Sequence, residues 1–143
     1  MNIQRSLFNA VVVSAILTVA GCASTPSSSG SGVKLSGAQE VPAVTTMATG
    51  AGTITVAADK SVSGSFTTTG IEGKAAHIHQ GAAGANGPVI VPLTKTGDAM
   101  WSVPAGAKLN DAQYAAYLAG GLYVNVHSAA NPAGEIRAQL SAK

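Results

Sequence analysis

The sequence is poor in charge, in aromatic rings and above all in cysteine. A single cysteine, Cys22, stands in 143 residues. No disulfide can close within the chain, and no cluster of cysteine ligands can hold a metal. Charged residues make up 10% of the chain and aromatic residues 4%. A nucleic-acid partner calls for a basic patch and stacking platforms, and this composition offers neither. Histidine is equally scarce: His77, His79 and His127 are the whole supply, so any imidazole chemistry falls to these three. What is plentiful is Gly, Ala, Thr and Val, a composition that suits a compact β-protein with tight turns.

The N-terminus reads as an export signal. Arg5 gives it a positive charge, and Leu7 to Ala20 form an apolar run too short to span a bilayer comfortably. The run ends in Val19-Ala20-Gly21-Cys22. These residues resemble the bacterial lipobox, in which the cysteine becomes the lipid-modified first residue of the mature protein. Residues 1–21 are then the lipoprotein signal peptide. Residues 22–32, the lipidated Cys22 and the Ser/Gly-rich run behind it, form a flexible tether. The acyl chains anchor the protein to a membrane. Ala23, a residue other than aspartate after the cysteine, implies by the same resemblance the outer membrane of the cell envelope, facing the periplasm or the cell surface. The folded domain is expected over 33–143. With Arg5 removed, seven Lys and Arg face six Asp and Glu, a near balance that again offers nothing to nucleic acid.

Strand signals dominate the domain. Val33 to Gln39 alternates loosely. Gly50 to Ala57 and Ser61 to Thr69, joined at Asp59-Lys60, predict a hairpin. The His77 strand is followed by the loop Gly81 to Pro88, whose Asn86-Gly87 pair sets it beside Val89 to Leu93; Pro92 points to an edge or bulge there. Met100 to Val103 is a short strand with Trp101 as a core plug. Asn110 or Asp111 can cap a helix over about 110–119, with Tyr114, Tyr117 and Leu118 expected on its packing face. The chain ends in a hairpin turning at Asn131-Pro132-Ala133-Gly134, between Leu122 to His127 and Glu135 to Leu140. If His127 pairs across from Glu135, Asn125 lies opposite Arg137. Seven or eight strands and one short helix predict an all-β Greek-key sandwich or barrel.

The histidines carry the chemistry. On a strand, His77 and His79 share one face while Ile78 takes the other. Alternation puts His127 on the non-core face of its own strand, with Tyr123 and Asn125. The reading is that the three converge on one metal ion. Three neutral imidazoles suit copper or zinc, and copper binds tighter in the general affinity order. Water, or a thioether from Met47 or Met100, could take the fourth position. Glu135 or Asn125 could orient His127 from behind. The bland alternative is a solvated or hydrogen-bonded strand face. Other motifs offer less. Gly81 to Pro88 lacks the Lys-Ser/Thr ending of a phosphate cradle and reads as a turn. Ser128 beside His127 lacks a nucleophile elbow. Glu135 and Arg137 read as a surface ion pair. Glu40 suggests no mechanism.

Three blocks in order, Leu35-Ser-Gly-Ala-Gln-Glu-Val-Pro42, Ala76-His-Ile-His-Gln-Gly81 with Gly84-Ala-Asn-Gly-Pro88, and Tyr123-Val-Asn-Val-His127 with Asn131-Pro-Ala-Gly-Glu-Ile-Arg137, resemble the CHRD domain. The resemblance runs from Leu35 to Leu140 and implies a fold more than an activity; Ala138 stands where that family usually has glycine. The His-x-His strand and the later Val-His strand end are also similar in pattern to the copper ligands of copper-zinc superoxide dismutase. That enzyme's metal-bridging histidine, zinc ligands and disulfide have no counterpart here, so any site holds one metal. The function expected is an envelope lipoprotein that binds one copper or zinc ion for sequestration or transfer. A structural or adhesive module with an envelope protein partner is the alternative. A dismutase-like redox enzyme has less support, and no catalytic residue is assigned.

Overall fold

The structure, a computed structural model, describes residues 30–142. The signal peptide, Cys22 and most of the tether lie outside the described residues. Nine strands form one antiparallel sheet: β1 (Gly30–Ser36), β2 (Thr49–Val56), β3 (Val62–Thr69), β4 (Gly73–Gln80), β5 (Val89–Pro92), β6 (Thr94–Lys95), β7 (Met100–Ser102), β8 (Leu122–Ser128) and β9 (Ile136–Leu140), in the order β5-β4-β8-β9-β1-β2-β3-β7-β6. The all-β fold with one short helix, α1 (Asp111–Leu118), matches expectation. The strand count exceeds it because β6 is two exposed residues, too short for alternation to reveal.

The sheet curls into a nearly closed barrel. Its two edge strands, β5 and β6, are separated in sequence only by Leu93, whose N–H donates to the Ala76 carbonyl of β4 at 2.9 Å. One residue therefore ties the two open edges together, which hides the unpaired backbone groups that an open sheet would expose. Inside lie Leu35, Ile54, Phe66, Ile78, Val124 and Ile136, each at most 2% exposed. Trp101 plugs the same core, as the sequence suggests.

Both predicted hairpins form: β2 with β3 through Lys60 at φ +70, and β8 with β9. The His77 strand pairs with the Val89 strand, and Pro92 sits in an edge strand. Two expectations change. First, Gly30 to Gly32 are not tether: they extend β1 and pair with Thr55 to Thr53. Gly30 suits this close pairing, since a Cβ there would fall 2.6 Å from the Thr53 methyl. Second, Leu118 is 57% exposed. The helix is capped by Asn110, which exchanges two hydrogen bonds with Gln113 in a capping box. Its Tyr114–Tyr117 stripe, three residues apart, reaches the core with Ala116 beside it; Leu118 is rotated about 100° from Tyr117 and misses it.

Candidate metal centre

The register places the site. His77 of β4 lies opposite Asn125 of β8, which lies opposite Arg137 of β9. His79 lies opposite Tyr123, itself opposite Gln139, and His127 lies opposite Ala75. Cross-strand partners share a face, so all these side chains stand on the outer, non-core face of the barrel wall. That face is covered here. The Arg137 side chain is only 1% exposed, and Tyr123 and Asn125 are buried with it.

The cover is the loop 81–88. The Arg137 guanidinium donates to the carbonyls of Ala82 and Ala85, at 3.1 and 2.9 Å, and to Asn86 Oδ1 at 3.3 Å. Gln139 Nε2 donates to the Gly81 and Gly120 carbonyls, both at 2.8 Å. Gly87 N–H donates to the Tyr123 hydroxyl, and Asn86 Nδ2 donates to the Val41 carbonyl. The loop folds back so tightly that a Cβ on Gly87 would fall 1.7 Å from the Gln80 carbonyl oxygen; glycine is required there for space. The reading of Glu135 and Arg137 as a surface ion pair is therefore overturned. Arg137 is buried and occupied by loop carbonyls, while the buried Glu135 carboxylate accepts from the Thr46 and Ser128 hydroxyls.

Under this cover the three imidazoles converge. One ring nitrogen from each of His77, His79 and His127 lies within 4.8 Å of the others. Two of the rings are fixed by backbone carbonyls. His79 Nδ1 donates to the Gly87 carbonyl and His127 Nδ1 donates to the Pro132 carbonyl, both at 2.9 Å. Each Nδ1 thus carries the hydrogen, and each Nε2 presents a lone pair. His79 Nε2 is buried and has no hydrogen-bond partner. His127 Nε2 accepts from His77 Nδ1 at 3.0 Å.

This donor set fits a single metal ion. Imidazole ligands at 2.0–2.1 Å in a tetrahedral field stand about 3.3 Å apart, so the widest pair must close by rotation of a ring. His77 is the free arm, its ring tilted 60° to His127 and 77° to His79. To ligate through the nitrogen that faces His127, it exchanges its Nδ1–H for the Nε2–H tautomer. The electrostatics agree. Burial, then the neighbouring His127 and His79, lower the pKa of His77. Burial lowers that of His79 against the opposing hydrogen bond to Gly87. Both rings are held neutral, the form that binds metal.

The other sequence candidates fall in different places. Asn125 stands on the histidine face, opposite His77 in the register, with its Oδ1 buried and without a hydrogen-bond partner. Glu135 belongs to the Ser128–Thr46 network, and the group that orients His127 is the Pro132 carbonyl. Hydrogen bonding from Ser128 lowers the Glu135 pKa. Met47 is 93% exposed, and Met100 lies in β7 opposite Thr67. Three participants were not assigned from sequence. Tyr123 stacks on His79, Arg137 covers Tyr123 with its guanidinium 3.4 Å from the ring centroid, and Glu40 is buried beside Asn125 and Arg137. Desolvation raises the Glu40 pKa, with Arg137 opposing it. The signal for Tyr123 and Arg137 was present in alternation, which put both on the histidine face.

The comparisons with known proteins give one positive finding: residues 32–140 match the model of a family described as the CHRD domain. No curated protein and no solved structure matches the chain.

Proposed function

The chain belongs to the CHRD domain family, and from that premise we propose that it is a lipid-anchored envelope protein whose domain binds one metal ion through His77, His79 and His127. Copper is the favoured ion and zinc the alternative, and the role is sequestration or transfer. The observation that carries the reading is the pair of backbone-pinned tautomers. His79 and His127 each spend Nδ1–H on a main-chain carbonyl, which leaves Nε2 as the lone pair each can offer in a cluster whose ring nitrogens lie within 4.8 Å of one another. A solvated strand face has no need to fix two tautomers this way, whereas a metal site does. Neutral imidazole nitrogen suits copper above zinc in the general affinity order. The anchor at Cys22 rests on the sequence alone, and an exported domain in that position would meet envelope copper.

The test is a titration of the full-length protein with Cu(I), Cu(II) and Zn(II). One equivalent bound in the submicromolar range supports the reading, and no binding by any of the three removes it. A structural or adhesive role has one observation of its own. A groove of about 490 Å³ crosses the outer face of β1–β3 between Lys34, Gln39, Thr49 and Thr67. Retention of an envelope component by the metal-free protein would favour that reading instead.

A further inference from the structure

On the outer face of β4 and β8, one position borders all three histidines. Asn125 lies directly opposite His77, diagonal to His79, and two residues along its own strand from His127. Tyr123 stands four residues from His127, and Ala75 four residues from His79, so neither borders all three. On the other flank of β4, His77 faces Pro92 and His79 faces Val89, side chains with no ligand atom. A fourth protein ligand from these strands can only be Asn125.

Asn125 is 2% exposed, and its Oδ1 is buried without a hydrogen-bond partner. His79 Nε2, on the same face, is also buried and unpartnered. The nitrogen end of the amide stands over the last hairpin, where a Cβ on Gly134 would fall 2.7 Å from Asn125 Nδ2 and 2.6 Å from Glu40 Oε1. That leaves Oδ1 as the end free to turn to the histidines. The neighbouring donors are spent. His79 and His127 give Nδ1–H to Gly87 and Pro132, and His77 gives its own to His127. Arg137 gives its terminal NH₂ groups to the loop 81–88 and to Gln139. A buried acceptor left bare costs about 1–3 kcal/mol. Two of them on one face are satisfied together by a cation, which takes a lone pair from each.

We propose that Asn125 Oδ1 is the fourth ligand of the ion, closing a site of three imidazoles and one amide oxygen around a divalent cation. The inference rests on the metal-binding reading and narrows it in two respects. A neutral oxygen ligand is hard, so it favours Zn(II) or Cu(II) over Cu(I), which selects soft sulfur. Four protein ligands also leave no position for water, the arrangement of structural rather than catalytic zinc sites. A closed site of this kind suits sequestration and not turnover.

The test uses full-length wild type, Asn125→Ala and Asn125→Asp. Competitive titration with Zn(II) and Cu(I) gives the affinities, and water-proton relaxation of the Cu(II) form reports a coordinated, exchanging water. Wild type is expected to show no coordinated water. In Asn125→Ala a water takes the place of the amide, and Zn(II) affinity falls about tenfold or more, since even the outer partners of a ligand are worth about 10–100-fold. Cu(I) affinity is retained in that variant. Asn125→Asp keeps an oxygen in the same place, so it keeps water out and holds Zn(II). A coordinated water in wild type, or binding of Cu(I) alone, overturns the proposal and leaves the three-histidine reading standing. Wild-type Zn(II) affinity in Asn125→Ala also overturns it, as does an equal loss of Zn(II) and Cu(I), the mark of a disturbed scaffold. If Asn125→Ala does not fold, the water signal of wild type and of Asn125→Asp decides. No metal binding by wild type removes the metal-binding reading and this proposal with it.

Discussion

The ring of His79 lies flat on the ring of Tyr123, with centroids 4.7 Å apart and planes 4° apart. The Arg137 guanidinium also stacks on Tyr123. Strands β4 and β9 flank β8 on opposite sides, so the phenol ring is held between an imidazole and a cation. The stack ties the histidine cluster to the loop 81–88, because Arg137 and the Tyr123 hydroxyl both bind that loop's backbone. Rigid support of this kind positions a ligand that has only two rotatable bonds of its own.

Arg137→Lys tests the support. Lysine keeps the charge and loses both the planar fork and the stack. It would leave the Ala85 carbonyl without the guanidinium donor and the Ala82 carbonyl with the Ala85 N–H alone. The expected loss is about 3 kcal/mol of unfolding free energy, read as a lower denaturation midpoint at unchanged m-value. A loss below about 0.5 kcal/mol, the range of ordinary surface substitutions, would mean that Arg137 does not hold the loop.

Gly134→Ala tests the junction beneath Asn125. The added methyl meets Glu40 Oε1 and Asn125 Nδ2 at positive φ. Strain and displacement together are expected to cost about 1–3 kcal/mol. Thermal unfolding measures it, and an unchanged midpoint would contradict the crowding.

The metal-free protein should lose stability on mild acidification. His77 and His79 have folded pKa values lowered by burial, so the unfolded chain takes up protons first. Their contribution is complete above the ordinary histidine value, about 6.5, and fades as pH falls through the lowered folded values. His77→Gln and His79→Gln should each flatten this slope in urea titrations between about pH 5 and 7. Parallel slopes in wild type and variants would refute it. Glu135, lowered by its bond from Ser128, acts with the same sign in the carboxylate range. Glu40, raised by desolvation, acts with the opposite sign, so Glu40→Gln should not destabilise the fold at neutral pH.

Much of this was legible in the sequence. The two-residue period of His77-Ile78-His79 and of Tyr123 to His127 gives both face assignments, and Asn125 does lie opposite Arg137. Turn chemistry located both hairpins and the β4–β5 pairing. Alternation reports which way a side chain points, however, and not what lies over it. Arg137 therefore reads as a surface charge, although loop carbonyls from 52 and 55 residues away enclose it. For the same reason Glu40 stays mute: its partners Asn125 and Gly134 lie in the last hairpin, and only tertiary packing joins them. Gly30 to Gly32 look like tether because no apolar side chain marks them; strand pairing and the bond from the Ser31 hydroxyl to the Ser141 carbonyl fix them.

The central claim is that three imidazoles share one ion. The most direct measurement is metal stoichiometry and affinity of the full-length protein by competitive titration, repeated on His79→Ala and His127→Ala. The account predicts one equivalent of copper or zinc with submicromolar affinity in wild type, and loss of that binding in both variants. Binding that survives His127→Ala undiminished would contradict it, because the ion would then be held without the strand on which the third arm stands.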